Sequence, residues 1–249
     1  ITEATKITIK GIKSRGIYVI LCSGRSNKDV CKYSQDVYAS DYTISSNGAQ
    51  IYNYKTNENF YKNCIKYNHI KAVWEYCNKH NLELVFNLEN NQTGNNIFCS
   101  SMYKKRTIIE NIEDLKDIDI FQVIINSNNY YDMRECEEYI ASNETLKIAN
   151  YSREYIKKDT NSKEPYYLFI NNKFVDKGMA ISEFLKEMKI KKEETICFGD
   201  RMNDITMFKA CGNTVAMKNA DKELKKIADY ITLSNEEEGV ADFINKHIL

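Results

Sequence analysis

The period of the hydrophobic positions changes several times along the chain, and each change marks an element. Between Thr2 and Arg15, Ala4, Ile7 and Ile12 recur near helical spacing, which predicts a helix with Thr2 as N-cap and Gly16 as a left-handed stop. IYVILC (17–22) is an unbroken apolar run, the pattern of a strand buried on both faces of a parallel sheet. A polar turn, SGRS, leads into a helical stretch near 27–38, and YTISS (42–46) reads as the next strand. The far end repeats this rhythm. Ala180, Ile181, Phe184, Leu185 and Met188 share one face of a helix over about 177–189. TICFG, a helix from Asp204, TVAM, a helix from Asp221, YITL and a closing helix to Leu249 follow. Strand–helix alternation with short connections predicts a parallel sheet covered by helices.

The middle is patterned differently. QIYNY and ENFYK flank a hairpin-like KTN turn, an amphipathic helix runs over about 66–80, and ELVFNL, NIFCSS, FQVIINS, LKIANYS and YYLFI read as strands. Only one clear helix, near 132–142, is interleaved among the later strands. The expected organisation is an α/β domain formed by residues 1–60 and 175–249, with an α+β domain inserted at 61–174. The chain opens on a helix, where a parallel sheet ordinarily opens on a strand.

Composition narrows the class. At 43% hydrophobic and 28% charged residues, the chain of 249 residues can bury a sizeable core. Thirty-five basic residues balance 35 acidic ones, which argues against a general nucleic-acid binder and leaves a local phosphate site open. No apolar stretch approaches the roughly 20 residues of a membrane span. A soluble, cytoplasmic protein is expected, and nothing in the chain indicates an oligomeric state. The eight cysteines form no CxxC pair, and His69, His80 and His247 offer no HxH or HExxH spacing, so a zinc site of the usual kind is not expected. Cys22 and Cys197 stand in apolar runs and read as reduced core thiols.

Open parallel sheets hold ligands beyond the carboxyl ends of their strands. Ser23-Gly24-Arg25 follows IYVILC, where a hydroxyl and free backbone N–H groups suit a phosphoryl oxygen. Ser46-Asn47-Gly48 follows the next strand, Gly199-Asp200-Arg201-Met202-Asn203-Asp204 follows TICF, and Lys177 opens the helix within VDKGMA. Singly, each has a bland reading: a turn serine, a helix-capping Asp204, a solvated Lys177. Together they read as a magnesium-dependent phosphate site, because Mg²⁺ accepts one or two carboxylates plus water and phosphate oxygens. Asp200 and Asp204 would otherwise raise one another's pKa; a cation at 4 Å is worth about 4 kcal/mol at an effective dielectric near 20. No GxxxxGK[ST] occurs, since Ile17 follows the correctly spaced Gly11 and Gly16, and no GxGxxG can be built.

CSGRS, SSNGAQIY, DKGMAI, CFGDRMNDITMF and the tail TVAMKNADKELKKIADYITLSNEEEGVADFI closely resemble the Cof-type phosphatases of the haloacid dehalogenase-like superfamily. The likeness covers both core segments and is weak in the inserted domain. It implies a Rossmann-like core with a cap of type C2B, and Mg²⁺-dependent hydrolysis of a small phosphomonoester, such as a sugar phosphate or phosphorylated cofactor, through an aspartyl-phosphate. By matching position, Ser23 and the Gly24 backbone would hold the transferring phosphoryl group and Lys177 would neutralise it. Asp200 would bind Mg²⁺ directly, and Asp204 would hold the metal through water while orienting Lys177. Asn203 matches a position beside the metal, and Asn47 one facing the substrate.

The family's first motif, a strand ending in DxDGT, has no match in the 249 residues. The resemblance implies that it lies before Thr2, so the nucleophile, the general acid and one metal ligand are expected to be missing. Loss of that central strand should open a large cavity or expose apolar strand edges. The chain as written is therefore expected to be inactive or nearly so. A non-catalytic phosphate-binding or interaction protein on the same fold, or a sugar phosphomutase, are the alternatives. Cys22 is not expected to act as a substitute nucleophile. Trp74, Tyr103, Tyr166 and Tyr167 could line the roof that a cap supplies, although packing within the cap is the expected work of most of them.

Overall fold

The computed structural model describes residues 1–88, 92–95, 107–152 and 164–249. These fall into two compact units, one formed by Ile1–Tyr61 and Asp176–Leu249, the other by Lys62–Val175.

In the first unit, helix α1 (Glu3–Ser14) starts where Thr2 accepts a hydrogen bond from the Thr5 N–H at 3.3 Å, and Gly16 follows it at φ +80°. Its buried face is Thr8, Ile9 and Ile12; Ile7, expected on that face, is 68% exposed. The reason is geometric: positions 8, 9 and 12 form one stripe on a 3.6-residue helix, and position 7 lies off it. The run 17–22 pairs as a strand only at Leu21–Cys22 (β1), and Ile17 and Tyr18 are exposed. Helix α2 (Asn27–Asp36) leads to β2 (Tyr42–Ser45), then β3 (Gln50–Asn53) and β4 (Glu58–Lys62). The order in this sheet is β1-β2-β3-β4, with β1 and β2 parallel and β2 and β3 antiparallel.

The second unit is a six-stranded sheet with helices on one face. Its elements are α3 (Tyr67–Lys79), β5 (Glu83–Asn87), β6 (Gln92–Gly94), β7 (Thr107–Ile108), β8 (Gln122–Ser127), α4 (Tyr130–Ala141), β9 (Leu146–Tyr151) and β10 (Tyr166–Asn172), with strand order β7-β6-β5-β8-β10-β9. The alternation of each strand sends Leu84, Phe86, Val123, Ile125, Leu168 and Ile170 into one core with residues of α3 and α4. Trp74 and Tyr166 pack in that core, whereas Tyr167 joins Val85, Ile124 and Phe169 on the opposite face. Tyr103 and the strand expected at NIFCSS lie outside the described residues.

The chain re-enters the first unit through α5 (Lys177–Met188), β11 (Ile196–Gly199), α6 (Ile205–Ala210), β12 (Asn213–Ala216), α7 (Lys222–Lys226), β13 (Tyr230–Ile231) and α8 (Gly239–His247). β11, β12 and β13 form a separate parallel sheet. The single parallel sheet expected from the alternation is thus two sheets among the described residues. An apolar cavity of about 780 Å³ is bordered by Leu21 and Cys22 of β1, by Cys197 and Phe198 of β11, and by Ile9 and Phe184 from the helices. This explains the exposure near β1: the run 17–22 has β2 on one side and cavity on the other, so a pattern suited to two-sided burial is only half covered. No helix among the described residues is long and apolar enough to cross a membrane.

Candidate active site

Asp176 caps α5 by accepting the Met179 N–H at 2.8 Å, which starts the helix at Lys177 and directs that side chain inward. Lys177 is buried, and its Nζ donates to Asp204 Oδ1 at 2.6 Å. The other Asp204 oxygen accepts the N–H groups of Asp200 (2.9 Å) and Arg201 (3.0 Å). Asp204 therefore does not cap α6 with its side chain. It ties a buried amine to the turn that follows β11, and hydrogen bonds on both oxygens offset much of the cost of burying the pair.

The loops after β1 and β2 are joined by backbone hydrogen bonds. The Ser23 carbonyl accepts the Asn47 N–H at 3.0 Å, and the Arg25 carbonyl accepts the Ser46 N–H at 2.8 Å. Ser23 Oγ accepts the Arg25 N–H at 3.2 Å. Ser46, Asn47 and Gly48 all have positive φ, at 49°, 59° and 101°. Gly48 is the position where no side chain fits: a Cβ there would run into the carbonyl of Asp176. The β2 turn is thus pressed against the start of α5. Asn47 Oδ1 accepts from Asn203 Nδ2 at 2.9 Å and lies against Gly24, where an added Cβ would be 2.8 Å away. Contact by contact, the structure brings Ser23, Gly24, Asn47, Asn203, Asp204 and Lys177 together. Asp200 stands at the edge, its side chain 41% exposed and its Oδ2 3.8 Å from Arg201 Nε.

Burial works against the Lys177 charge, but the nearby Asp204 and Asp200 carboxylates and the hydrogen bond to Asp204 outweigh it, so its pKa is raised. Desolvation pushes the Cys22 thiol up to about 12 despite the Lys177 charge. Cys22 is accordingly a neutral thiol near pH 7, which disfavours it as a nucleophile.

The fit of this site to Mg²⁺ rests on Asn203. Its Oδ1 is buried and accepts no hydrogen bond, a costly state for an amide oxygen. Among the described residues, no three His, Cys, Asp or Glu side chains converge as a metal site. A cation here would draw on the Asp200 carboxylate and the Asn203 amide oxygen, completed by water and phosphate. That donor set suits magnesium and not zinc.

Several supporting residues escape a reading of the sequence. Asp221 accepts the Met202 N–H at 3.0 Å, and its own N–H donates to the Asp200 carbonyl at 3.0 Å, so it shapes the turn after β11 from a distant segment. Thr206 accepts the Gly178 N–H at 3.2 Å and fixes α6 against α5. Nothing in their local sequence announces either contact. Asp176 was open to detection, as a cap residue directly preceding Lys177.

Known proteins resemble this chain in sequence and fold along nearly its whole length. The chain is 26% identical over 253 residues to the Bacillus subtilis 5-amino-6-(5-phospho-D-ribitylamino)uracil phosphatase YcsE, covering 100% of this chain and 89% of that protein. A haloacid dehalogenase-like hydrolase from Bacteroides thetaiotaomicron superposes with a TM-score of 0.82 at 26% identity, over 99% of this chain and 92% of that one. The HAD subclass IIB sugar phosphatase BT4131 shares the fold, with a TM-score of 0.78 at 23% identity over 99% and 91% of the two chains. The haloacid dehalogenase-like hydrolase family matches residues 1–244. With that match spanning nearly the whole chain, and phosphatases among its relatives, the protein belongs to the haloacid dehalogenase-like hydrolases and is by resemblance a phosphoric monoester hydrolase.

Proposed function

We propose that this chain binds the phosphoryl group of a small phosphorylated metabolite with Mg²⁺, as part of a phosphomonoester hydrolase. The observation that carries the reading is the buried Lys177 ammonium, held at 2.6 Å by Asp204 at the place where the ends of β1, β2 and β11 meet. An ammonium has three donors; Asp204 Oδ1 takes one, and the others serve a phosphoryl oxygen. The Ser23 hydroxyl and the Gly24 N–H supply neutral donors to the same group. Mg²⁺ held by Asp200 and Asn203 would withdraw charge from the phosphoryl oxygens. Asp204 positions the amine. The class of substrate, a sugar phosphate or phosphorylated cofactor, accords with the phosphoribityl compound in the name of the Bacillus relative.

The ester-breaking step in this reading passes through an aspartyl-phosphate, and no aspartate of the 249 residues is given the attacking role. Turnover by these residues alone is expected to be slight, so binding is the primary test. Calorimetric titration with inorganic phosphate in the presence of MgCl₂ should give saturable binding, lost in EDTA and weakened at least about tenfold in Asp200→Ala, or about 1.4 kcal/mol. Equal binding with and without Mg²⁺, or in Asp200→Ala, would refute the metal assignment. Release of p-nitrophenol from p-nitrophenyl phosphate, measured alongside, reads any hydrolysis.

A further inference from the structure

Asp200 and Arg201 follow β11 as adjacent residues of opposite charge, and the backbone of each is pinned on both sides. The Asp200 N–H donates to Asp204 Oδ2 at 2.9 Å, and the Asp200 carbonyl accepts the Asp221 N–H at 3.0 Å. The Arg201 N–H donates to the same Asp204 oxygen at 3.0 Å, and the Arg201 carbonyl accepts the Asp204 N–H at 2.9 Å. Four hydrogen bonds thus fix where both side chains leave the chain. Arg201 Nε lies 3.8 Å from Asp200 Oδ2, with the two side chains 30% and 41% exposed. On a mobile surface, an ion pair of that length would carry little weight. Here the turn itself keeps the guanidinium beside the carboxylate.

We infer that Arg201 is a tethered competitor of Mg²⁺ for the Asp200 carboxylate and sets how much metal the site needs. The inference rests on the phosphate-and-metal reading above and adds to it a determinant of metal affinity. Charges at the site pair off: Lys177 with Asp204 in the interior, Arg201 with Asp200 nearer the surface. Asp204 engages Lys177 with one oxygen and two backbone N–H groups with the other, which makes Asp200 the carboxylate open to an entering cation. That carboxylate already has a positive neighbour, and a guanidinium keeps its charge at any ordinary pH. A divalent cation at Asp200 must displace this partner and then remain beside it, a repulsion that persists even at the dielectric of water. The consequence is a site that takes up Mg²⁺ poorly alone and better with a phosphate dianion, whose charge offsets the guanidinium.

Calorimetric titration of the full chain with MgCl₂, in the absence of phosphate, tests this on the unsubstituted protein, Arg201→Gln and Arg201→Lys. Arg201→Gln should bind Mg²⁺ at least about threefold more tightly than the unsubstituted chain. Arg201→Lys keeps the charge and should stay within about twofold of it. The gain in Arg201→Gln should shrink as KCl is raised towards about 1 M, because it is a force between charges. Equal affinity in Arg201→Gln, the same gain in Arg201→Lys, or a gain indifferent to salt would overturn the inference and leave the metal reading standing. Mg²⁺ binding that survives Asp200→Ala undiminished, or that is absent from the unsubstituted chain and Arg201→Gln alike, would overturn both. Arg201→Ala is a second variant without the charge, so a folding defect in Arg201→Gln leaves the test intact.

Discussion

Lys177 sits where an amine would ordinarily lose its proton, with its side chain only 8% exposed, and a carboxylate at 2.6 Å keeps it charged. Removing the carboxylate charge leaves that cation buried and unpaired. Asp204→Asn should therefore lower unfolding free energy by about 3 kcal/mol in urea titrations near pH 7. An unchanged midpoint would show that the pair carries no weight. The pH dependence has a definite sign. Lys177 has a folded pKa above its ordinary 10.5, and Cys22 rises from 9.0 to about 12. In both, the folded state retains protons that the unfolded chain releases. Their contribution is complete below pH 9, and it is lost as pH rises from there through about 12. Cys22→Ala should flatten the first part of this decline in urea midpoints measured across that window; an unaltered slope would count against the assignment.

At the scale of elements, the site depends on how one turn meets one helix end. Asp176→Ala removes the cap of α5 and should cost about 1 kcal/mol, with weakened phosphate binding because the first turn carries Lys177. Gly48 and Gly16 provide an internal comparison. Both have positive φ, yet a Cβ on Gly16 meets nothing within 4 Å, whereas one on Gly48 meets the Asp176 carbonyl. Gly16→Ala should cost about 1 kcal/mol, the conformational term alone. Gly48→Ala should cost clearly more and should also reduce phosphate affinity, as thermal melts and calorimetry on the two variants would reveal. Equal losses in the two would mean that the close approach at Gly48 does not matter.

For the molecule as a whole, the two units have separate apolar cores. The only tryptophan, Trp74, lies in the core of the second unit, so its fluorescence follows that unit alone. If Mg²⁺ is held by Asp200 and Asn203 as proposed, it would stabilise the first unit by mass action, by about 1.4 kcal/mol at roughly ten times the dissociation constant. Added MgCl₂ should therefore raise an unfolding transition seen by far-UV circular dichroism and leave the Trp74 transition where it was, so that the two probes separate. A shift of both by the same amount would show that the units unfold as one or that the metal binds elsewhere.

The periodicity of the chain determined most of the elements, because a helix or strand needs only its own residues to declare which face is apolar. The predicted and observed helices agree to within a few residues at α1, α3, α4 and α5, and the motifs CSGRS, DKGMAI and GDRMND marked the polar ends where the site lies. Tertiary structure decided the rest. It set how much of the 17–22 run pairs, because a ladder depends on its neighbours as well as on its own pattern. It put three successive residues, Ser46 to Gly48, at positive φ and set Gly48 against the Asp176 carbonyl. It gave Asp204 an amine and two backbone N–H groups, and it brought in Asp221 and Thr206 from distant segments. Spacing along a chain orders side chains on one element; which atoms from different elements come within 3 Å is settled only when those elements pack.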